Sequence, residues 1–432
     1  MWTTVGLAAK NLSDCRAASL EPFGIAEVDH VRVHADPSNP QAVAGGILDF
    51  PLQCHAAAAR CIPEDARNGG DGGFERVGLR GIDGEMRDFG DHRVQNLLRV
   101  QSRQRNVARD REKGQIIMIV VTGAGGFVGQ AVVERLLAQG RSVVGFDTRA
   151  EGMIAAPAFR AVVGDLADPA ARRAALADGC DALIHLATVP GGAAEADPAA
   201  SRRVNVDAMY DLLEDVRAIS HRPRVVYASS IAVFGDPLPS NGVDDATVIA
   251  PKLVYGGHKA MMEIALAMMS ARSEIDGVTV RLPGVVARPQ GPSGMKSAFM
   301  SDLFHALRGG RSFQCPVSAG ATIWVQSVTR CADNLIHGLT LDSATMPRTR
   351  VVTLPALAMR MADLVAEIAS QTGASPELVE YRPDDALEAA FGRHPALATP
   401  AAERAGFAHD GDLRSLVERA LGRMAHMDQQ GQ

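Results

Sequence analysis

Tyrosine and lysine are scarce in this chain of 432 residues, with four tyrosines and five lysines in all. Any fixed spacing between the two types therefore carries information. Cysteine is sparse and scattered, at Cys15, Cys54, Cys61, Cys180, Cys315 and Cys331, with no CxxC pair. That pattern predicts neither a metal knuckle nor a disulfide framework. No apolar run approaches the ~18–20 residues that span a bilayer; the best is Ile116–Val121. The first residues show no basic stretch leading into an apolar core, so no secretory signal is predicted. There is no excess of positive charge either: 44 Lys and Arg stand against 50 Asp and Glu, a net charge of −6. Nucleic acid is thereby excluded as a dominant partner. What remains, at 47% hydrophobic residues, is a globular, cytoplasmic protein of two or three domains with no membrane partner.

The chain changes character near residue 118. Residues 1–117 have short apolar scraps without a sustained period of 2 or 3.6. Glycine and charge crowd Asn68–Asp91, and Arg99–Lys113 is basic. This stretch is expected to lie outside the functional enzyme. It reads as translation from a start assigned too early, as a poorly ordered extension, or as an extra domain. From Ile116 onward, apolar runs (IIMIVV, RSVVGF, FRAVVGD, DALIHLA, RVVYASS, GVTVRLP) alternate with helical patterns such as Phe127–Gln139, which Gly140 is placed to cap. Strands apolar on both faces, alternating with helices, predict a doubly wound parallel α/β sheet.

Two glycine-spaced segments compete for a nucleotide. Gly78, Gly81 and Gly84 have the spacing but neither a strand before them nor an amphipathic helix after them. Thr122-Gly123-Ala-Gly125-Gly126-Phe127-Val128-Gly129 has both. There Gly123 makes the tight turn, Gly126 admits a pyrophosphate, and Gly129 packs the helix against the strand. The helix N-terminus at Phe127 and Val128 faces the phosphates. Asp147, 24 residues beyond Gly123, closes the second strand, where a carboxylate holds the ribose hydroxyls of NAD and repels a 2′-phosphate. Arg149 nearby leaves some room for NADP.

One tyrosine has a lysine four residues on: Tyr255-Gly-Gly-His258-Lys259. On a helix the two share a face, and a cation beside a phenol stabilises the phenolate. Twenty-five residues upstream, Ser230 ends a strand and can hold a substrate oxygen. His185, at another strand end, reads as a packed or cofactor-side histidine rather than a metal ligand. Met261, Met262, Met268 and Met269 read as core or dimer-face packing.

With these motifs, and with Gly164-Asp165-Leu166, His185-Leu-Ala187, Asn205-Val206 and the final Arg404-Ala-Gly-Phe407 in order, residues 118 to about 425 resemble the extended short-chain dehydrogenase/reductase superfamily. The resemblance implies a Rossmann domain over 118–284 and a smaller substrate-binding α/β region over 285–432. It implies Ser230, Tyr255 and Lys259 as the catalytic set. NAD would be held by Gly123, Gly126, Phe127, Val128, Gly129, Asp147, Asp165, Leu166, Ala187, Asn205, Tyr255 and Lys259. It further implies oxidation of a secondary hydroxyl of a small sugar acid, in a homodimer. Arg288 is the candidate cation for the acid, with Lys296 behind it. Ser230, Tyr255, Trp324 and the loop 188–192 would complete the pocket. Two other readings share the fold: a nucleotide-sugar epimerase or dehydratase with tightly held NAD, and a redox-sensing binding protein without catalysis. Phe234 stands where the family usually has tyrosine, and Leu282-Pro-Gly departs from its usual Asn-x-Tyr-Gly-Pro region. Both departures weigh against a nucleotide sugar.

Overall fold

The computed structural model describes residues 118–235, 237–291 and 296–430. The readings made of residues 1–117, including the Gly78 motif and three of the cysteines, lie outside the described residues.

The first strand, β1 (Met118–Thr122), shows why the sheet is buried on both sides. Ile119, Val120 and Val121 are all fully buried, yet Ile119 and Val121 join one apolar cluster while Val120 joins another on the opposite face. Successive strand side chains point to opposite faces, so a continuous apolar run needs a cover on each. Helix α1 (Phe127–Ala138) follows and buries Val132, Val133 and Leu136. It ends as its sequence predicts. Gly140 takes φ +72, its N–H bonds to the Leu137 carbonyl, and the Arg141 N–H reaches back to Leu136. That paired closure needs a left-handed residue, which glycine adopts without strain.

The chain then lays down β2 (Ser142–Asp147), β3 (Phe159–Val163), α2 (Pro169–Ala175) and β4 (Ala182–His185). Two short helices, α3 (Gly191–Ala196) and α4 (Pro198–Arg202), lead through a π-helical turn at Arg203–Ala208 into α5 (Met209–Ile219). Next come β5 (Arg224–Ser230), a 3₁₀ turn (Ile231–Phe234), the long α6 (Val254–Ala271) and β6 (Asp276–Leu282). Strands β1 to β6 pair in the order β3-β2-β1-β4-β5-β6, all parallel. The order reverses between β1 and β4, so the carboxyl ends of those strands open a crevice where ligands bind in such sheets.

The remainder builds a second lobe: β7 (Gly284–Val286), α7 (Phe299–Arg308), β8 (Phe313–Cys315), β9 (Thr322–Ser327), α8 (Val328–Thr340), β10 (Val351–Thr353), β11 (Leu357–Arg360), α9 (Met361–Thr372), β12 (Val379–Tyr381), α10 (Asp385–Phe391), α11 (Pro400–Arg404) and α12 (Leu413–Gln430). A three-stranded sheet (β11-β9-β7) and a β12-β8 pair frame its core, filled by Leu303, Phe304, Ile323, Leu364, Ile368 and Leu416 among others. The expected cut at 284/285 is not a single crossing. Helix α8 packs against α1, and β10 becomes the seventh strand of the large parallel sheet beside β6. The reason is exposure: without β10, the apolar edge at Val278 and Val280 of β6 would have no partner strand.

Candidate active site

The glycine turn sits in the crevice, and its packing explains each glycine. A Cβ on Gly123 would lie 2.8 Å from the Ala187 nitrogen, and one on Gly129 only 2.0 Å from the Gly123 carbonyl. Gly126 is the N-cap of α1 with no side chain capping the helix, so the first turn meets the crevice as backbone. These features suit a close-approaching pyrophosphate at a helix N-terminus. The crevice is a cavity of about 520 Å³, lined by Gly123, Gly126, Phe127, Val128 and Gly129 at its base. Asp147, Asp165, Leu166 and Ala187 line it further along, as do Thr188, Val189, Pro190 and Arg288. The Asp147 carboxylate accepts the Gly125 N–H at 3.0 Å and the Thr148 N–H at 2.7 Å. Asp165 accepts the Ala167 N–H at 2.9 Å. These residues fit a dinucleotide.

Asn205 lies in the π-helical turn and is buried. Its side chain accepts from the Val189 N–H (2.7 Å) and the Thr188 hydroxyl (3.0 Å), and donates to the Val189 carbonyl (2.9 Å). One amide thus pins the loop that walls the crevice. His185 is buried, and its ring nitrogen Nδ1 is 2.8 Å from the Thr122 hydroxyl. That hydroxyl accepts from the Leu186 and Ala187 N–H groups, so its own hydrogen points to the imidazole. Burial, with Lys259 nearby, drops the His185 pKa to about 3, and the ring is neutral. Among the described residues no group of three His, Cys, Asp or Glu side chains is placed to hold a metal, nor is any helix long and apolar enough to cross a membrane.

Ser230, Tyr255 and Lys259 come together at the end of β5 and the start of α6. The Ser230 hydroxyl favours the ionised form of the Tyr255 phenol and accepts the Ala232 N–H at 3.2 Å. Lys259 Nζ donates to the Ala228 carbonyl at 2.7 Å and lies 5.5 Å from the Tyr255 ring centre and 4.8 Å from that of Tyr227. Helix α6 starts where it does because Glu195, from α3, accepts the Val254 N–H at 2.6 Å. Burial drops the Lys259 pKa to about 7, against the opposing pull of Glu263.

Three expectations need correction. Lys259 was expected to depress the phenol's pKa, but in the protein on its own burial raises it. The groups that offset this rise are the Arg288 guanidinium and the Ser230 hydroxyl. Trp324 was expected in the substrate pocket; it is 1% exposed and packs with Val233, Phe234, Val243 and Ala260. Its indole N–H donates to the Pro395 carbonyl at 2.8 Å, the partner a buried tryptophan needs. Lys296 is exposed and does not line the crevice. Arg288 does line it, and its backbone explains how. Ala287, just past β7, has φ +61, a strained conformation for a residue with a Cβ. His305 Nε2 holds the Arg288 carbonyl at 2.6 Å. Beyond this kink the guanidinium lines the crevice, and it and the Tyr255 phenol each favour the other's charged form. The sequence reading gave no role to Glu263, although it follows Lys259 at the same four-residue spacing that links Tyr255 to Lys259.

Fold and site together define a dinucleotide-dependent oxidoreductase with a Ser-Tyr-Lys constellation. The chain belongs to the NAD dependent epimerase/dehydratase family, whose model matches residues 119–321. It is 33% identical over 314 residues to a D-erythronate dehydrogenase of Cupriavidus necator, covering 69% of this chain and 96% of that one. With a D-erythronate dehydrogenase of Haemophilus influenzae it shares 27% over 310 residues, 70% of this chain and 98% of the relative. Among solved structures it is similar to a nucleoside-diphosphate-sugar epimerase from Agrobacterium tumefaciens. That match has a TM-score of 0.66 and 25% identity, covering 72% of this chain and 95% of the other. The fold is shared with L-threonine dehydrogenase from Phytophthora infestans, with TM-score 0.63 and 24% identity over 71% of this chain and 99% of that one.

Proposed function

We propose that the chain is an NAD-dependent dehydrogenase that oxidises a secondary hydroxyl of a small sugar acid, with D-erythronate as substrate and its 2-oxo acid as product. The reading is carried by the placement of Ser230 at the end of β5 and of Tyr255 and Lys259 on one face of α6, with Arg288 lining the dinucleotide crevice. The Arg288 guanidinium, a cation suited to a carboxylate, favours the ionised form of the Tyr255 phenol. The names of the two dehydrogenase relatives support the choice of acid.

Bound NAD supplies the hydride acceptor; the protein handles the proton and holds the alcohol. Ser230 binds the reacting oxygen. Tyr255 takes the hydroxyl proton, and Lys259 in its charged form stabilises the phenolate and holds the nicotinamide ribose. Arg288 offers a planar two-point fork to the carboxylate, which would be costly to bury unpaired. Asp147 holds the adenosine ribose hydroxyls and favours NAD over NADP. Leu166 and Asp165 contact the adenine. A homodimer through α6 completes the reading. Met262 and Met269 are buried in the protomer, but Met261, Ile264 and Met268 on the same helix are 51%, 64% and 40% exposed. Sedimentation should give a dimer that Met261→Glu splits.

The test is NADH absorbance of the purified protein with D-erythronate, other aldonic and uronic acids, and nucleotide sugars. NADH should accumulate with D-erythronate. Conversion of a nucleotide sugar with no net NADH would replace this reading with an epimerase or dehydratase.

A further inference from the structure

Beside the Ser-Tyr-Lys constellation lies an ion pair whose acid is buried and whose cation is mostly so. Glu263 on α6 is 3% exposed, and its carboxylate receives Arg281 of β6 in a two-point fork, Nε to Oε1 at 2.9 Å and Nη2 to Oε2 at 2.7 Å. Oε1 also accepts the Ser229 hydroxyl at 2.5 Å. The Arg281 guanidinium lies 4.7 Å from the Phe234 ring centre, in the 3₁₀ turn that follows Ser230. In the sheet Ser229 is directly opposite Arg281 and Ser230 opposite Leu282. The fork therefore grips both sides of Ser230, at Ser229 before it and at Phe234 after it. Its other end is α6, where Tyr255, Lys259 and Glu263 repeat every four residues on one face.

A buried ion pair gives little stability over well-packed apolar residues of the same size, while loss of one partner is severe. Stability alone therefore does not account for charges in this position. We propose that Glu263 and Arg281 are positioning residues: their fork fixes the end of β5, which carries Ser230, against the helix face that carries Tyr255 and Lys259. Their opposite charges cancel beside that face, so that neither biases the phenol. This inference rests on the catalytic roles given above to Ser230, Tyr255 and Lys259.

The charged and titratable groups around the phenol and ammonium come from each packed element. Tyr227 stands on β5, His185 on β4, Glu263 on α6, Arg281 on β6, and Arg288 after β7. Burial keeps His185 neutral and raises the Tyr227 phenol, so neither adds charge at neutral pH. Glu263 still acts on the Lys259 ammonium and the Tyr227 phenol, but at Tyr255 the cation acting from outside the helix is Arg288.

Four variants test this: Glu263→Gln, Arg281→Met, the double variant, and Arg281→Lys. Two readouts apply, the pH dependence of kcat/KM and the ultraviolet difference absorbance of tyrosinate, with Tyr255→Phe as the blank that isolates one phenol. Glu263→Gln leaves a lone cation and should lower the Tyr255 midpoint by about 1 unit; Arg281→Met leaves a lone carboxylate and should raise it by about 1 unit. The double variant should return close to the parent. Arg281→Lys keeps the charge and loses the fork, so the midpoint should hold while kcat falls about tenfold at unchanged KM. Circular dichroism checks that each variant is folded; should a single variant unfold, the double variant and Arg281→Lys carry the comparison. Shifts of the same sign in both single variants, or no shift, would overturn charge cancellation. Parent-like kcat in Arg281→Lys would overturn positioning. The tyrosinate titration needs no substrate, so a wrong choice of sugar acid leaves it readable, and turnover by Tyr255→Phe would sink the functional reading alone.

Discussion

The carboxylate of Asp147 accepts the backbone N–H of Gly125 at 3.0 Å, tying the end of β2 to the turn before α1. The residue assigned to the ribose therefore also shapes the phosphate turn. Asp147→Ser should relax the preference for NAD over NADP by removing the repulsion of a 2′-phosphate. It should also raise the KM for NAD about tenfold, since hydrogen bonds to a charged acceptor contribute ~1.5–3 kcal/mol. Steady-state kinetics with both nucleotides decides. A parent that uses NADP as readily as NAD would put Arg149 in control instead.

Tyr255→Phe should keep nucleotide binding and lose turnover. The ring still packs against the same neighbours, and only the phenol oxygen is gone. General acid–base groups contribute ~10²–10⁴-fold, and the loss should fall in kcat. Fluorescence quenching by NADH measures binding, and NADH production measures the rate.

Lys259 gives a stability prediction of less familiar sign. Its folded pKa, dropped to about 7 by burial, lies below its ordinary 10.5. Between those values the unfolded chain binds more protons than the folded one, so stability rises with pH across that window. Below pH 7 the fold carries the full cost of the buried charge. Lys259→Met should therefore unfold at a temperature about 2–4 °C higher than the parent at pH 7 without nucleotide. The gap should narrow toward pH 10, while turnover is lost. Calorimetry at several pH values checks it; a less stable variant at pH 7 would refute the sign.

Arg288→Ala should raise the KM for the sugar acid about 100-fold, the cost of leaving a buried carboxylate without its charged partner. Oxidation of a polyol of the same length that lacks the carboxylate should change little. Equal losses on acid and polyol would assign Arg288 to the phenol rather than to the substrate.

Much of this was legible in the sequence because it is local. A glycine turn, the strand before it and the helix after it occupy twenty-one consecutive residues from Met118 to Ala138, and Tyr255 reaches Lys259 within one helical turn. What was hidden depends on register or on facing. Arg281 meets Glu263 only because β6 lies beside β5 with Arg281 opposite Ser229. Trp324 was drawn into the pocket because a rare aromatic invites a role, yet nothing in its own stretch of strand says which way it points. β10 escaped notice because three residues, Val351-Val352-Thr353, carry no period. The left-handed turn at Ala287 was equally silent, since an alanine there signals nothing about φ.

The return of the chain to the large sheet at β10 bears on how enzymes of this build could be recombined. The polypeptide leaves the parallel sheet after β6, returns for α8 and β10, leaves again at β11, and comes back once more at α11, where Ala401, Ala402 and Ala405 join the apolar cluster covering the sheet. A graft that exchanged everything after residue 284 would remove an outer strand and a covering helix from the nucleotide half. A chimera with a relative of different substrate preference would need three separate inserts, 285–327, 355–399 and 408–430, joined across retained segments at 328–354 and 400–407. Swaps drawn at a single breakpoint should give aggregated protein, and the three-insert design should give a folded one.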